Sequence, residues 1–363
     1  MDYTADTISA ADAKFEAQKI AFAPLAFQAV RALLELGILR AIAGAGDAGL
    51  TCEEAAGRTG VSAYGAGVLL EAALHLRVVR LLPGASAPSA ERFVLGKIGW
   101  FILEDDMAQV NINFVGDVCY RGAAELAESV KTGKPAGLSV FGTQWRTIYE
   151  ALSALPEGAR KSWFAFDHFY SDTAFSAALP IVFARKPKTL FDIGGNTAKW
   201  AIRCCRYDPD VEVTIIDLPG QTAEAARNAA DAGFSDRIRL YSCDALDPGA
   251  EFPAGAQAVW MSQFLDCFSP PEITRISAKI SGSIGPETDV FALEPFWDMQ
   301  KFEASAYSLT AASLYFTCIA NGNSKMYRSG ELTAAVEQGG LELKTAHHGI
   351  GSLDYSLLRF RKF

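Results

Sequence analysis

From Lys188 to the end of the chain the apolar residues change rhythm, and this change restricts the fold more than any other feature of the sequence. The runs KTLFDIGG, VEVTIIDLP, RIRLYSCDA, AQAVWMSQF and TDVFALEPF are short, rich in β-branched and aromatic residues, and recur at intervals of about 20 to 35 residues. Between them lie helical stretches such as residues 222–233 and 272–281. Strands separated by whole helices cannot be joined as tight hairpins, so the pattern predicts a parallel, doubly wound α/β sheet. A helix containing SLTAASLYFTCIA, another over residues 330–340 and two last runs, LELKTAHH and YSLLRFRKF, follow. That final pair is expected to close the sheet in antiparallel fashion.

The first hundred residues read differently. Ile20, Leu25, Val30, Leu33, Leu34 and Ile38 recur at helical spacing over residues 18–39, and Gly37 marks the end. Thr51 with Glu54 three residues on has the spacing of a capping box, and a second short helix follows Ser62. RVVRLLP and RFVLGK, flanking a Pro/Ser-rich turn, look like the two strands of a hairpin. Helices followed by a two-stranded wing make a winged helix. Such modules often bind DNA, but here 33 basic residues face 42 acidic ones, and residues 63–73 contain no Lys or Arg. A phosphate backbone finds no basic stripe, so nucleic acid is not an expected partner and the module is read as a dimerisation scaffold.

Residues 106–180 are helical in pattern and rich in aromatics. The expected organisation is therefore a winged-helix dimerisation domain over 1–105, connecting helices lining a substrate pocket over 106–180, and a cofactor domain over 181–363. No apolar run approaches the 18 residues needed to span a bilayer, and MDYTADTISAADAKFE is acidic where a signal peptide would be basic. A cytoplasmic protein without a membrane partner is expected. Four histidines and seven scattered cysteines argue against a metal site and for reduced thiols.

The first strand of the second half runs into FDIGGNTAKWA, a glycine-rich turn that opens a helix. Glycines there let backbone N–H groups approach a ligand closely. Asp217 ends the next strand, where a carboxylate can accept both hydroxyls of a ribose, and Asp244 ends the one after. With Asp192, three acids at three successive strand ends describe a nucleoside pocket. A dinucleotide-binding dehydrogenase is the competing reading of the turn alone.

DIGGNTAKWA, IIDLP, SCDAL and AVWMSQFLDCFSPPE, in this order and spacing, resemble the class I S-adenosylmethionine-dependent methyltransferases. More narrowly, the chain is similar to the small-molecule O-methyltransferases of the caffeate and hydroxyindole type, including bacterial polyketide and phenazine tailoring enzymes. APLAFQAVRALLELGILRAI is similar to that family's opening dimerisation helix, and LTCEEAAGRTGVS to its winged helix. The resemblance implies a Rossmann-like seven-stranded domain, a homodimer, S-adenosyl-L-methionine as cofactor and a small, flat, aromatic or conjugated acceptor. Carried over by position, it implies that Asp192, Gly194, Gly195 and Asn196 shape the turn around the methionine part. Asp217 would take the ribose, Leu218 would lie against the adenine, and Asp244 with Ala245 would border that ring. Asn196 and Ala198 stand where relatives usually keep glycine, and Ser262 stands where a Lys or Arg is common.

At the position of the catalytic histidine of relatives this chain has Asp266. The two carboxylates that orient that histidine correspond to Glu294, which is retained, and to Met326, where the acid is lost. Three readings of Asp266 stand open: a carboxylate-assisted O-methyltransferase, a C- or N-methyltransferase that works by positioning, and a cofactor-binding relative that no longer methylates. A metabolite-sensing winged-helix protein is the non-enzymatic counterpart. His168, in WFAFDHFYSD, is the one histidine that could supply a base from another segment. Trp163, Phe166 and Tyr170 around it are read as an aromatic surface for the acceptor or the sulfonium. Asn321 and Met326 fall in a segment where relatives keep a substrate loop.

Overall fold

The computed structural model describes residues 3–363, and these form two compact units that divide between Gly116 and Asp117. The division differs from the sequence-based boundaries at 105 and 180. Helix Asp106–Phe114 belongs to the first unit, and the helices from Asp117 to Val182 belong with the sheet rather than forming a segment of their own.

In the first unit the expected single helix over residues 18–39 is three: Ala10–Ala21, Ala23–Glu35 and Ile38–Ala45. Pro24, which lacks an N–H, starts the second, and Gly37 at φ 73° separates it from the third. Helix Cys52–Thr59 opens with the expected capping box: Thr51 Oγ1 accepts from Glu54 N at 3.1 Å, and Thr51 N donates to Glu54 Oε2 at 2.9 Å. Ser62 caps helix Ala63–His75, and the wing consists of antiparallel β1 (Val79–Leu81) and β2 (Phe93–Leu95). Leu33, Ile38, Leu39, Ile42, Leu70, Val79 and Phe93 form one buried cluster inside these elements.

The second unit is a seven-stranded sheet in the order β5-β4-β3-β6-β7-β9-β8. Its strands are β3 (Thr189–Ile193), β4 (Glu212–Asp217), β5 (Ile238–Ser242), β6 (Ala258–Ser262), β7 (Asp289–Glu294), β8 (Leu341–Ile350) and β9 (Tyr355–Lys362). β3 to β7 pair in parallel, while β9 lies antiparallel between β7 and β8. The chain leaves β3 for β4 and β5, then returns to the other side of β3 for β6. A crevice opens at such a reversal, at the carboxyl ends of the two diverging strands. Both faces are covered. Ala174, Phe175 and Ala178 of the 26-residue helix Glu157–Val182 pack with Trp200, Trp260 and Phe291 on one side. Ile273, Ile276, Leu332 and Val336 pack with Phe191, Ile193 and Met261 on the other.

Candidate active site

The turn after β3 is built around close backbone approach. Gly194, at φ 75°, donates its N–H to Ile216 O at 2.9 Å, and a β-carbon there would strike the ring of Phe264. A β-carbon on Gly195 would lie 2.8 Å from both Asp192 Oδ2 and Ile215 Cγ2. Asn196 and Ala198 are left-handed at φ 46° and 66°, so the backbone keeps the conformation expected of glycine despite the substitutions. Each such non-glycine residue costs roughly 1–2 kcal/mol, strain that gathers at functional sites. Asn196 uses its backbone N–H on Asp217 Oδ2 (2.9 Å) and its side-chain amide on Asp167 Oδ2 (3.2 Å).

Asp217 also accepts from Leu218 N at 2.7 Å, and burial still raises its pKa to about 6. Asp192 is 2% exposed; burial first, and the neighbouring Asp217 second, push its pKa up to about 8. Its Oδ2 has no hydrogen-bond partner, nor has the buried Ser262 Oγ at the end of β6. Asp244 holds the turn after β5 by accepting from Leu246 N. Asp192, Asp217, Asp244 and Ser262, with Gly194, Gly195, Asn196, Leu218 and Ala245, all line one cavity of about 610 Å³. That size suits a small-molecule site.

Asp266 lines the same cavity from the turn Leu265–Cys267 beyond β6. It is 4% exposed, its Oδ1 lies 3.4 Å from the Cys267 thiol that donates to it, and burial raises its pKa to about 7. Glu294, the retained counterpart of a carboxylate that orients the histidine of relatives, does not reach the cavity wall. Its Oε1 is held by two backbone donors, Phe264 N (3.2 Å) and Leu265 N (2.9 Å), so it fastens the turn that presents Asp266. Burial, then the Asp266 charge, hold the Glu294 carboxyl far above the usual range.

His168 stands on the wall with Nδ1 3.7 Å from Asp167 Oδ2 and 4.0 Å from Asp172 Oδ1. Burial first and Lys199 second lower its pKa, against Asp172, which raises it. Trp163 and Phe166 line the cavity, and Trp163 Nε1 donates to Tyr315 Oη at 2.7 Å. Tyr170 was expected beside them but lies outside the wall, packed with Phe166 and Phe169 at centroid distances of 4.7 and 5.2 Å. Asn321 and Met326 line the cavity; the Asn321 amide donates to Cys267 O and so braces the Asp266 turn. Asp167, Tyr149, Trp200 and Trp260 also line it and were not singled out from sequence. Only Asp167, beside His168 on one helix, offered a local signal.

The site is rich in oxygen acceptors. It suits a ligand offering hydroxyl donors and positive charge. Among the described residues no group of three His, Cys, Asp or Glu side chains is arranged to hold a metal ion.

A family profile described as a Dimerisation2-like domain matches residues 14–84. The chain is 26% identical over 168 residues to an L-tyrosine C(3)-methyltransferase of Streptomyces lavendulae, covering 46% of this chain and 45% of that relative. It is 25% identical to a 3-amino-4-hydroxybenzoate 4-O-methyltransferase of Streptomyces cremeus, covering 71% and 67%. The solved structure of the S-adenosylmethionine-dependent methyltransferase SibL superposes with a TM-score of 0.70 at 22% identity, over 95% of this chain and 98% of that one.

Proposed function

We propose that this chain, by fold a class I S-adenosylmethionine-dependent methyltransferase with an amino-terminal dimerisation domain, methylates a hydroxyl oxygen of a small aromatic acceptor. The observation that carries the proposal is the position of Asp266: a buried carboxyl, titrating near neutrality, on the wall of the cavity that also holds the glycine turn. A base works best when its pKa lies near the working pH.

S-adenosylmethionine, when bound, supplies an electrophilic methyl carbon. Asp217 has further lone pairs for the ribose hydroxyls, Leu218 and Ala245 offer apolar surface to the adenine, and Asp244 borders it. Ser262 has an unpaired hydroxyl to give to the methionine carboxylate. Trp163 and Phe166 hold a flat acceptor. Asp266 takes the proton from its hydroxyl as the oxygen becomes nucleophilic, and Glu294 keeps Asp266 in place through the turn. His168, on the same wall, positions the acceptor. Aromatic methylation by the relative from S. cremeus supports the substrate class.

We further read the protein as a homodimer. Ile20, Phe22 and Leu25 are between 59% and 76% exposed at the junction of the first two helices, within the segment matching the dimerisation profile. Light scattering on the purified chain should give twice the 39.0 kDa monomer mass.

The activity test is calorimetry with S-adenosylhomocysteine, followed by mass detection of methyl ethers formed from neutral phenols such as 2-naphthol. Asp266→Asn should lower kcat by roughly 10²- to 10⁴-fold while cofactor binding persists. Cofactor binding without turnover of any phenol, or full activity in Asp266→Asn, would overturn the assignment.

A further inference from the structure

Nine carboxyl groups and two permanent cations line the cavity. Both cations are already engaged. Arg146 meets Glu150 at 2.7 Å, and Lys199 meets Asp172 at 2.6 Å. Most of the acids are also engaged: Glu272 caps a helix, Asp244 and Asp247 accept from backbone N–H groups, and Asp217 accepts from Asn196 N, while Asp192, its Oδ2 unpartnered, is walled in beneath Gly195 of the same turn.

Two carboxyls remain, Asp167 and Asp266. Asp266 takes a thiol as donor, and Asp167 takes the neutral Asn196 amide. Neither makes an ion pair with a Lys or Arg, although the Lys199 charge acts on Asp167, and burial lowers the pKa of the neighbouring His168. An independent observation comes from Tyr149. Its hydroxyl is buried on the same wall with the Cys267 thiol as neighbour, and offers an oxygen to a polar ligand group. Trp163 and Phe166 add aromatic faces, which attract cations.

An acceptor carrying a carboxylate would add another negative charge where no cation is free to meet it. An ammonium would meet a carboxylate, a hydroxyl and aromatic faces. We propose that the acceptor is an aromatic bearing a protonated amine as well as the hydroxyl, and that Asp167, held by Asn196 across the cofactor turn, receives the ammonium. This rests on the preceding reading that the cavity takes an aromatic acceptor. The left-handed Asn196 then has a purpose that glycine could not serve, since its amide orients Asp167.

The test compares three phenols of nearly equal shape, tyramine, 4-ethylphenol and 3-(4-hydroxyphenyl)propionate, titrated into protein saturated with S-adenosylhomocysteine. That cofactor product has a net neutral tail and no sulfonium, so it neither supplies nor cancels the charge under test. Tyramine should bind about tenfold or more tighter than the propionate, with 4-ethylphenol between. In Asp167→Asn the ratio of tyramine to 4-ethylphenol affinity should collapse to within about twofold, and Asp167→Glu should restore it in part.

Equal or tighter binding of the propionate overturns the proposal on wild-type protein alone, whether or not the variants fold. An unchanged tyramine preference in Asp167→Asn, accompanied by weaker S-adenosylhomocysteine binding, reassigns Asp167 to the cofactor and also overturns it. Binding and methylation of 4-ethylphenol without amine preference defeats this inference and leaves the methyltransferase reading standing. Failure of all three phenols defeats both.

Discussion

Asp266→Asn should stabilise the protein even as it disables it, by an amount that depends on pH. The side chain is 4% exposed, and burial raises its pKa from the ordinary 3.8 to about 7. The unfolded chain loses this proton near pH 4, whereas the folded chain keeps it until near neutrality. Below pH 3.8 the carboxyl is neutral in both states and costs nothing; as pH rises towards 7, stability is progressively lost. At 1.36 kcal/mol per unit, a shift of about three units amounts to roughly 4 kcal/mol at pH 8. Asparagine has no charge to bury, so the stability difference between variant and wild type should grow by about 3 kcal/mol between pH 4.5 and 7.5 and then level off. Urea unfolding of the two proteins side by side across pH 4.5 to 8.5 measures it, since distant titrating groups cancel in the difference. A difference that is flat with pH, or that falls as pH rises, would refute the burial argument and with it the reason for assigning Asp266 as a base.

Methyl transfer to a neutral phenol should show kcat/KM rising through an apparent pKa of about 7, a limb that stopped-pH kinetics on Asp266→Asn should no longer show. Gly195→Ala places a β-carbon 2.8 Å from Asp192 Oδ2 and Ile215, so calorimetry should find S-adenosylhomocysteine binding weakened by about tenfold or more; unchanged affinity would separate the turn from the cofactor. Glu294→Ala leaves the Phe264 and Leu265 N–H groups without their acceptor and should cost about 2–5 kcal/mol in thermal or urea unfolding. Glu294→Gln keeps an oxygen there and should cost much less.

The central parallel strands were readable because they are apolar enough to be buried on both faces and are bounded by turn residues, as Val290 to Leu293 of β7 are, whereas the edge strand β5 is exposed beyond Ile238. The caps at Thr51 and Ser62 were readable because they depend on neighbours three residues away. The break between the first two helices was missed, since Phe22 and Pro24 interrupt a periodic pattern without ending it. What Glu294 does depended on contacts across 29 and 30 residues, which no local pattern encodes. The same holds for Asp167, brought to Asn196 across 29 residues, and for Tyr170, whose helical spacing matches that of Phe166 although its ring packs outside the cavity. Gln263 at φ 47° is a further left-handed residue beside the site, and nothing in AVWMSQF marks it.

The indoles of Trp200 and Trp260 stack with centroids 3.8 Å apart and planes 12° from parallel, and both rings line the cavity, as does Trp163. Three of the chain's six tryptophans therefore sense what enters it. Their emission is a label-free optical reporter: an adenine or phenol ring arriving beside them alters the polarity around the indoles and opens a quenching path. Occupancy can then be followed on the millisecond scale with the natural protein, so the order in which cofactor and acceptor arrive becomes directly observable.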